Sequence, residues 1–138
     1  MLGFRNIVVS DIERARNLWS KPLDLDPQPI METESWESTQ MSFRGLPSTG
    51  KAKLSFFKLK HTVLEFIQPI DGSSTWRNFY EKHREGINYI ASVIDDADES
   101  WKILPELGGV GGQKDFSYIT KGMSSKHTMG CLNGIFCS

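Results

Sequence analysis

Three histidines, two cysteines, four spaced lysines and a glycine run are the places where side-chain type and spacing could do chemistry in this 138-residue chain. His61 and Glu65 have the same strand parity, but four residues of strand separate them by about 13 Å, so they cannot chelate one ion together. His83 lies in the polar run Glu81-Lys82-His83-Arg84-Glu85 and His127 in the Ser-rich stretch from Gly122 to Thr128. All three histidines read as surface residues, with a site assembled across a dimer as the alternative. On one strand Cys131 and Cys137 would lie about 20 Å apart, too far to bridge. Free thiols point to a reducing compartment, hence to the cytoplasm. Lys51, Lys53, Lys58 and Lys60 could meet a phosphate-bearing ligand, but a solvated strand face that discourages edge pairing is the simpler reading. Gly108-Gly109-Val110-Gly111-Gly112 has no strand leading into it and no helix after it in phosphate-loop order, so it reads as a turn or loop.

The elements that must position such residues follow from periodicity. Phe4 to Val9 is short and β-branched, and Ser10-Asp11 caps a helix whose Ile12, Ala15, Leu18 and Trp19 form one apolar stripe, with Pro22 as its stop. Met31 to Gly45 alternates mildly and predicts a long exposed strand, and Gly45 to Gly50 a turn. Lys51 to Gln68 reads as a hairpin in which the adjacent Phe56-Phe57 imply a bulge or a two-sided strand. Asp71-Gly72-Ser73-Ser74 caps a helix with Trp76, Phe79 and Tyr80 on one face, read as core or dimer contact. A strand from Gly86 to Ile94, a helix opened by Asp95 to Glu99 with Trp101, Ile103 and Leu104, and a strand from Phe116 to Ile119 follow. Thr120 to Met129 is polar and loop-like, leaving Gly130 to Phe136 for a last strand.

Ile7 to Glu13 and Ser92 to Asp98 both read as an apolar strand end, an acidic cap and a helix. Two βαβββ modules in one α+β domain over residues 1–138 are therefore expected: module 1 at about 1–72, a linking helix at about 73–85 and module 2 at about 86–138. Sixteen Lys and Arg against 17 Asp and Glu, a net charge of −1, give no electrostatic footprint for nucleic acid. No apolar run reaches the roughly 18 residues of a membrane span. A hydrophobic share of 38% plus 12 glycines fits a globular chain that needs neither metal nor disulfide to stay folded.

In order and spacing, Ile7-Val8-Val9-Ser10-Asp11-Ile12-Glu13, Val63-Leu64-Glu65-Phe66-Ile67-Gln68-Pro69, Gly86-Ile87-Asn88-Tyr89-Ile90-Ala91 with Asp95-Asp96, and Gly111-Gly112 before Phe116-Ser117-Tyr118 resemble landmarks of the vicinal oxygen chelate superfamily. This group holds glyoxalases, bleomycin-resistance proteins and extradiol dioxygenases, with methylmalonyl-CoA epimerases among its closer-looking members. The resemblance implies an open, curved mixed sheet, a cup with helices on its outer face, that holds a small molecule and usually a divalent metal. The family's four ligand places carry Phe4, Glu65, Tyr89 and Gly134 or Asn133 here. Only Glu65 is a good ligand, so no metal and no other cofactor is expected.

Strand parity places Phe4, Asn6, Val8, Val63, Glu65, Ile67, Tyr89 and Ala91 inside the cup, and sends Ile7, Val9, Leu64, Phe66 and Ile90 to the helices. Asn88 joins the expected substrate contacts. Among rings and aliphatic side chains Glu65 is expected to hold its proton more tightly than usual, which suits proton transfer, with Tyr89 as carbonyl donor. The expected function is a metal-independent isomerase, epimerase or lyase acting next to a carbonyl. The alternative is a binding protein that sequesters an aromatic or apolar small molecule. Absence of a carboxylate at position 134 argues against a standard epimerase, which needs a base on each face of its substrate. A homodimer is expected, because a cup open along one side favours a partner over its edges.

Overall fold

The computed structural model describes residues 4–26, 28–91, 99, 102–107, 109–120 and 123–132. Strand β1 (Phe4–Val8) runs into Asp11, whose side chain accepts from the Arg14 amide and caps helix α1 (Ile12–Leu23). Pro22 does not stop this helix as expected but sits inside its last turn. The stop comes at Asp24, held at φ 50°, where backbone amides close back on Lys21 and Ser20.

The expected long strand from Met31 to Gly45 is instead three short pieces: β2 (Met31–Glu32), the single-turn helix α2 (Trp36–Thr39) and β3 (Ser42–Phe43). Arg44 and Gly45, both at positive φ, turn the chain into β4 (Leu46–Pro47), so the expected turn region also contributes to a sheet. The hairpin of β5 (Lys51–Lys58) and β6 (Val63–Asp71) stands as read. Leu54 and Ser55 are both buried and Phe57 more so than Phe56, which makes β5 two-sided. Its register shift falls at Lys51 and Ala52 rather than at the phenylalanine pair. Ser74 caps α3 (Thr75–His83), and β7 (Gly86–Ala91) follows.

A 3₁₀ turn (Leu104–Leu107) precedes β8 (Gly109–Thr120) and β9 (Met123–Leu132). Two expectations fail here. The glycines from Gly109 to Gly112 belong to β8, and the supposed loop from Thr120 to Met129 is largely β9, its backbone laddered to β8. Asp95 to Asp98, Trp101, and the end of the expected last strand beyond Leu132 lie outside the described residues.

The strands form an open five-stranded mixed sheet in the order β2-β5-β6-β1-β7 and a four-stranded sheet in the order β4-β3-β8-β9. β1 is parallel to β6 and antiparallel to β7, so it lies between the two strands that carry the candidate chemistry. Two apolar clusters cover the faces of the larger sheet. Val9, Ile12, Phe57, Leu64 and Phe66 pack under α1, with the Phe57 and Phe66 rings edge to face at 5.5 Å. Val8, Met41, Ala52, Leu54, Ile67 and Trp76 form the other cluster, joined by half-buried Trp36, Phe56, Phe79, Tyr80 and Tyr89. The aromatic face of α3 is thus core. Leu18, meant for the α1 stripe, is 56% exposed. No helix among the described residues is long and apolar enough to cross a membrane.

Candidate active site

Parallel pairing of β1 with β6 sets Asn6 directly beside Glu65, and antiparallel pairing with β7 sets Asn6 beside Tyr89. Alternation then turns Asn6, Val8, Glu65 and Ile67 to one face, as the sequence parity required. Glu65 is 6% exposed and Asn6 fully buried. The Asn6 Nδ2 donates to Glu65 Oε2 at 3.0 Å, and the Tyr89 hydroxyl reaches the same oxygen at 3.5 Å, the long limit of a hydrogen bond. Asn88, 4% exposed, donates from Nδ2 to Asn6 Oδ1 at 3.2 Å. Four of the expected site residues therefore meet in one buried polar group.

Val8 and Ile67 line the same face but are sealed beneath Trp76 and Met41. Val63 is half-buried at the other end of the same face. The register sets Phe4 opposite Val63 and Ala91; the side chains of Phe4 and Ala91 fall outside the described residues. Ile90 does not meet a helix: it is 57% exposed. It keeps the outer face that parity gives it, paired with Arg5, but on the last strand of the sheet; the bulge further along, where Asn6 pairs with Tyr89 and Ile7 with Ile87, leaves Asn88 as an extra residue and turns Asn88 inward and Ile87 outward.

Parity on β1, β6 and β7 did not reach β5. Phe56 pairs with Glu65 across the hairpin and Leu54 with Ile67, so both belong to this face. The alternation of Ala52, Leu54 and Phe56 with Lys51, Lys53 and Ser55 carried that signal. Lys58, exposed, shares the face one pair further on, opposite Val63. Arg5 points to the other face and donates to Thr62 Oγ1.

His61 and His83 stay apart from this group. His61 lies in the exposed turn before β6 rather than on the strand, and His83 packs at a tilt against Phe79 with ring centroids 5.1 Å apart. His127 stands opposite Asp115 in the β8–β9 ladder.

A divalent metal of the kind this fold family uses needs about three good protein donors. At the three ligand places that are described, the chain supplies one carboxylate, one phenol and one benzyl side chain. Glu65 is moreover engaged by the Asn6 amide, and among the described residues no group of three His, Cys, Asp or Glu side chains could hold an ion. The fourth place, Asn133 or Gly134, lies outside the described residues and carries no ionisable group. This donor set does not fit the metal. What it can do is hold a carboxylate and a phenolic donor side by side in largely apolar surroundings, an arrangement able to take a proton from a carbon acid while donating to its carbonyl oxygen.

The backbone is similar to that of a hypothetical protein from Bacillus halodurans C-125, with a TM-score of 0.58 at 18% identity, covering 93% of this chain and 92% of that one. It is also similar to a methylmalonyl-CoA epimerase from Mycobacterium tuberculosis, with a TM-score of 0.55 at 16% identity over 91% and 84% of the two chains. No curated protein matches the sequence. A family profile matches residues 6–123, from the first residue of the polar group described above to the start of β9. On that match the chain belongs to the Glyoxalase/Bleomycin resistance protein/Dioxygenase superfamily.

Proposed function

We propose that this protein is a metal-independent isomerase, epimerase or lyase that moves a proton on a carbon next to a carbonyl of a small organic molecule. The observation that carries the reading is the buried Glu65 carboxylate with the Tyr89 hydroxyl 3.5 Å from its Oε2. Glu65 takes the proton from the α-carbon, the electron pair moves to the carbonyl oxygen, and Tyr89 donates a hydrogen bond to that oxygen. Glu65 then delivers the proton to a different atom of the enolate, its oxygen or the neighbouring carbon, which completes an isomerisation. Alternatively, a substituent on the next carbon leaves with its bonding electrons and takes up the proton, which completes an elimination. The long Tyr89–Glu65 contact is the one a ligand oxygen would replace. The epimerase among the structural neighbours adds CoA thioesters to the 2-oxo acids and other small acids worth testing. The reading places the protein in the cytoplasm as a homodimer.

A second reading rests on the half-buried rings of Phe56, Trp36 and Tyr89, which pack with Val8 and Ile67 and suit sequestration of an aromatic or apolar molecule. One experiment separates the two. Wild-type protein is incubated in D₂O after exhaustive chelation with a panel of thioesters and 2-oxo acids, and deuterium at the α-carbon is read by mass spectrometry. Proton transfer predicts incorporation that falls about 100-fold or more in Glu65→Gln. Binding with no incorporation in either form selects sequestration, and incorporation at the same rate in Glu65→Gln rejects Glu65 as the base.

A further inference from the structure

We propose that Lys58 selects the ligand at Glu65 by holding an oxyanion of that ligand, a carboxylate or a phosphate, at the outer end of the inner face. The inference rests on the reading of Glu65 as the proton-transfer group. It narrows the substrates to carbon acids that carry a negative group a few bonds from the reacting carbon.

The first observation is that strand register separates lysines which the sequence grouped as one solvated face. Lys51 stands opposite Asp71 and Lys53 opposite Glu32, so each has an acidic cross-strand neighbour. Lys60 lies in the exposed turn between β5 and β6. Of the four, Lys58 is the one on the face of Glu65, and its partner across the hairpin is the apolar Val63.

The second observation is a gradient of burial along that face. At one end Val8, Leu54 and Ile67 are sealed beneath Trp76 and Met41. One pair further on, Glu65 is buried and Phe56 half-buried; one pair beyond that, Val63 is half-buried and Lys58 exposed. A ligand therefore enters past Lys58, and with its α-carbon at Glu65 the rest of the molecule extends back over the outer row. Register fills that row with Ala91, Phe4, Val63 and Lys58, whose one charge is the lysine's.

Diagonal neighbours on paired strands lie about 7–8 Å apart, close enough for long side chains to bridge. The Lys58 ammonium, on its flexible stem, thus covers the space just outside Glu65. No Asp or Glu occurs from Lys51 to Leu64 to neutralise it. Arg5 does not share the task, because it points to the other face and donates to Thr62 Oγ1. An oxyanion brought close to the Glu65 carboxylate is repelled by it, and a cation one pair away offsets that repulsion most effectively where the ligand has displaced water.

The test reads binding, so it does not depend on turnover. Two arms distinguish the oxyanions: 2-oxoglutarate against its dimethyl ester for a carboxylate, and acetyl-CoA against the phosphate-free N-acetylcysteamine thioester of acetate for a phosphate. Each is titrated into ¹⁵N-labelled protein while the Val63 and Glu65 amide resonances are followed. In at least one arm the charged member is expected to bind about tenfold tighter than the neutral one, and Lys58→Gln to remove that advantage while changing the neutral member less than about twofold. Lys53→Gln, whose lysine has Glu32 opposite, is expected to bind both as wild type does. Equal binding of charged and neutral members in both arms overturns the proposal. So does a Lys58→Gln affinity within about twofold of wild type for the charged member, or no shift of these resonances in either arm up to about 10 mM. Charge-selective binding with no α-deuterium incorporation would leave Lys58 standing as the ligand-selecting residue and reject proton transfer. Incorporation lost in Glu65→Gln but unaltered in Lys58→Gln would do the reverse.

Discussion

Tyr89 takes a place where the superfamily usually puts an imidazole, and the exchange alters more than metal affinity. A phenol offers a donor O–H to the site where an imidazole would offer a lone pair to a metal, and its ring packs with the cluster of Val8 and Ile67. Tyr89→Phe keeps that ring and removes only the hydroxyl. Its thermal midpoint should stay within a few degrees of wild type, while α-deuterium exchange falls about 100-fold, the scale on which a single oxyanion donor acts. Equal exchange rates in the two proteins would remove Tyr89 from the chemistry. At this scale the sequence was readable where alternation is unbroken. Asn6, Val8, Glu65 and Ile67 follow parity because β1 and β6 pair without a shift. Ile87 and Asn88 do not follow it, since a bulge is set by backbone pairing and leaves no periodic trace in side-chain type.

Among the elements, one exposed carboxylate ties the entrance of β7 to the start of α1. Glu85 Oε1 accepts from both the Ser10 hydroxyl, at 2.6 Å, and the Ser10 amide, at 2.8 Å. These two bonds, the hydroxyl first, hold the Glu85 carboxyl below its ordinary value. A carboxyl depressed in the folded state adds stability above the unfolded chain's value, and that stability is lost as pH falls through the lower, folded value. Glu85→Gln should therefore cost about 0.5 kcal/mol at pH 7, a small figure because the group is exposed and screened by solvent. The gap between wild type and variant in urea denaturation should close as the pH drops below the carboxylate range. A gap that widens in acid would contradict the assignment.

Elements were legible in proportion to the apolar surface they bury. The β5–β6 hairpin and α3 announce themselves through Leu54, Phe57, Leu64, Phe66 and Trp76, all buried. The stretch from Met31 to Gly45 has few such residues. Its shape comes from local bonds instead, such as the Trp36 indole donating to the Met41 carbonyl and the Gln40 amide closing on Trp36. Polar β9 is held by its backbone ladder to β8, a source of order that hydrophobic periodicity does not register.

For the molecule as a whole, β7 ends the five-stranded sheet among the described residues and presents Ile87 and Ile90 outward. Exposed apolar side chains on a sheet edge favour a covering partner over a lone chain. Light scattering coupled to size exclusion at micromolar concentration is expected to give twice the 15.6 kDa chain mass. A species of 15.6 kDa would refute the dimer.

The pairing of β1 with β6 and with β7 also governs how late the polar group around Glu65 can assemble. Asn6 meets Glu65 across 59 residues of chain and Asn88 across 82, so the site closes only after two long loops have closed. Such non-local contacts slow folding, toward milliseconds to seconds rather than the microseconds of helical bundles. In a refolding experiment this polar group should therefore be completed late, after the local β5–β6 hairpin and α1 have formed. A chain released during synthesis before Tyr89 has emerged would carry Glu65 on a finished hairpin but have neither the phenol nor the second amide beside it.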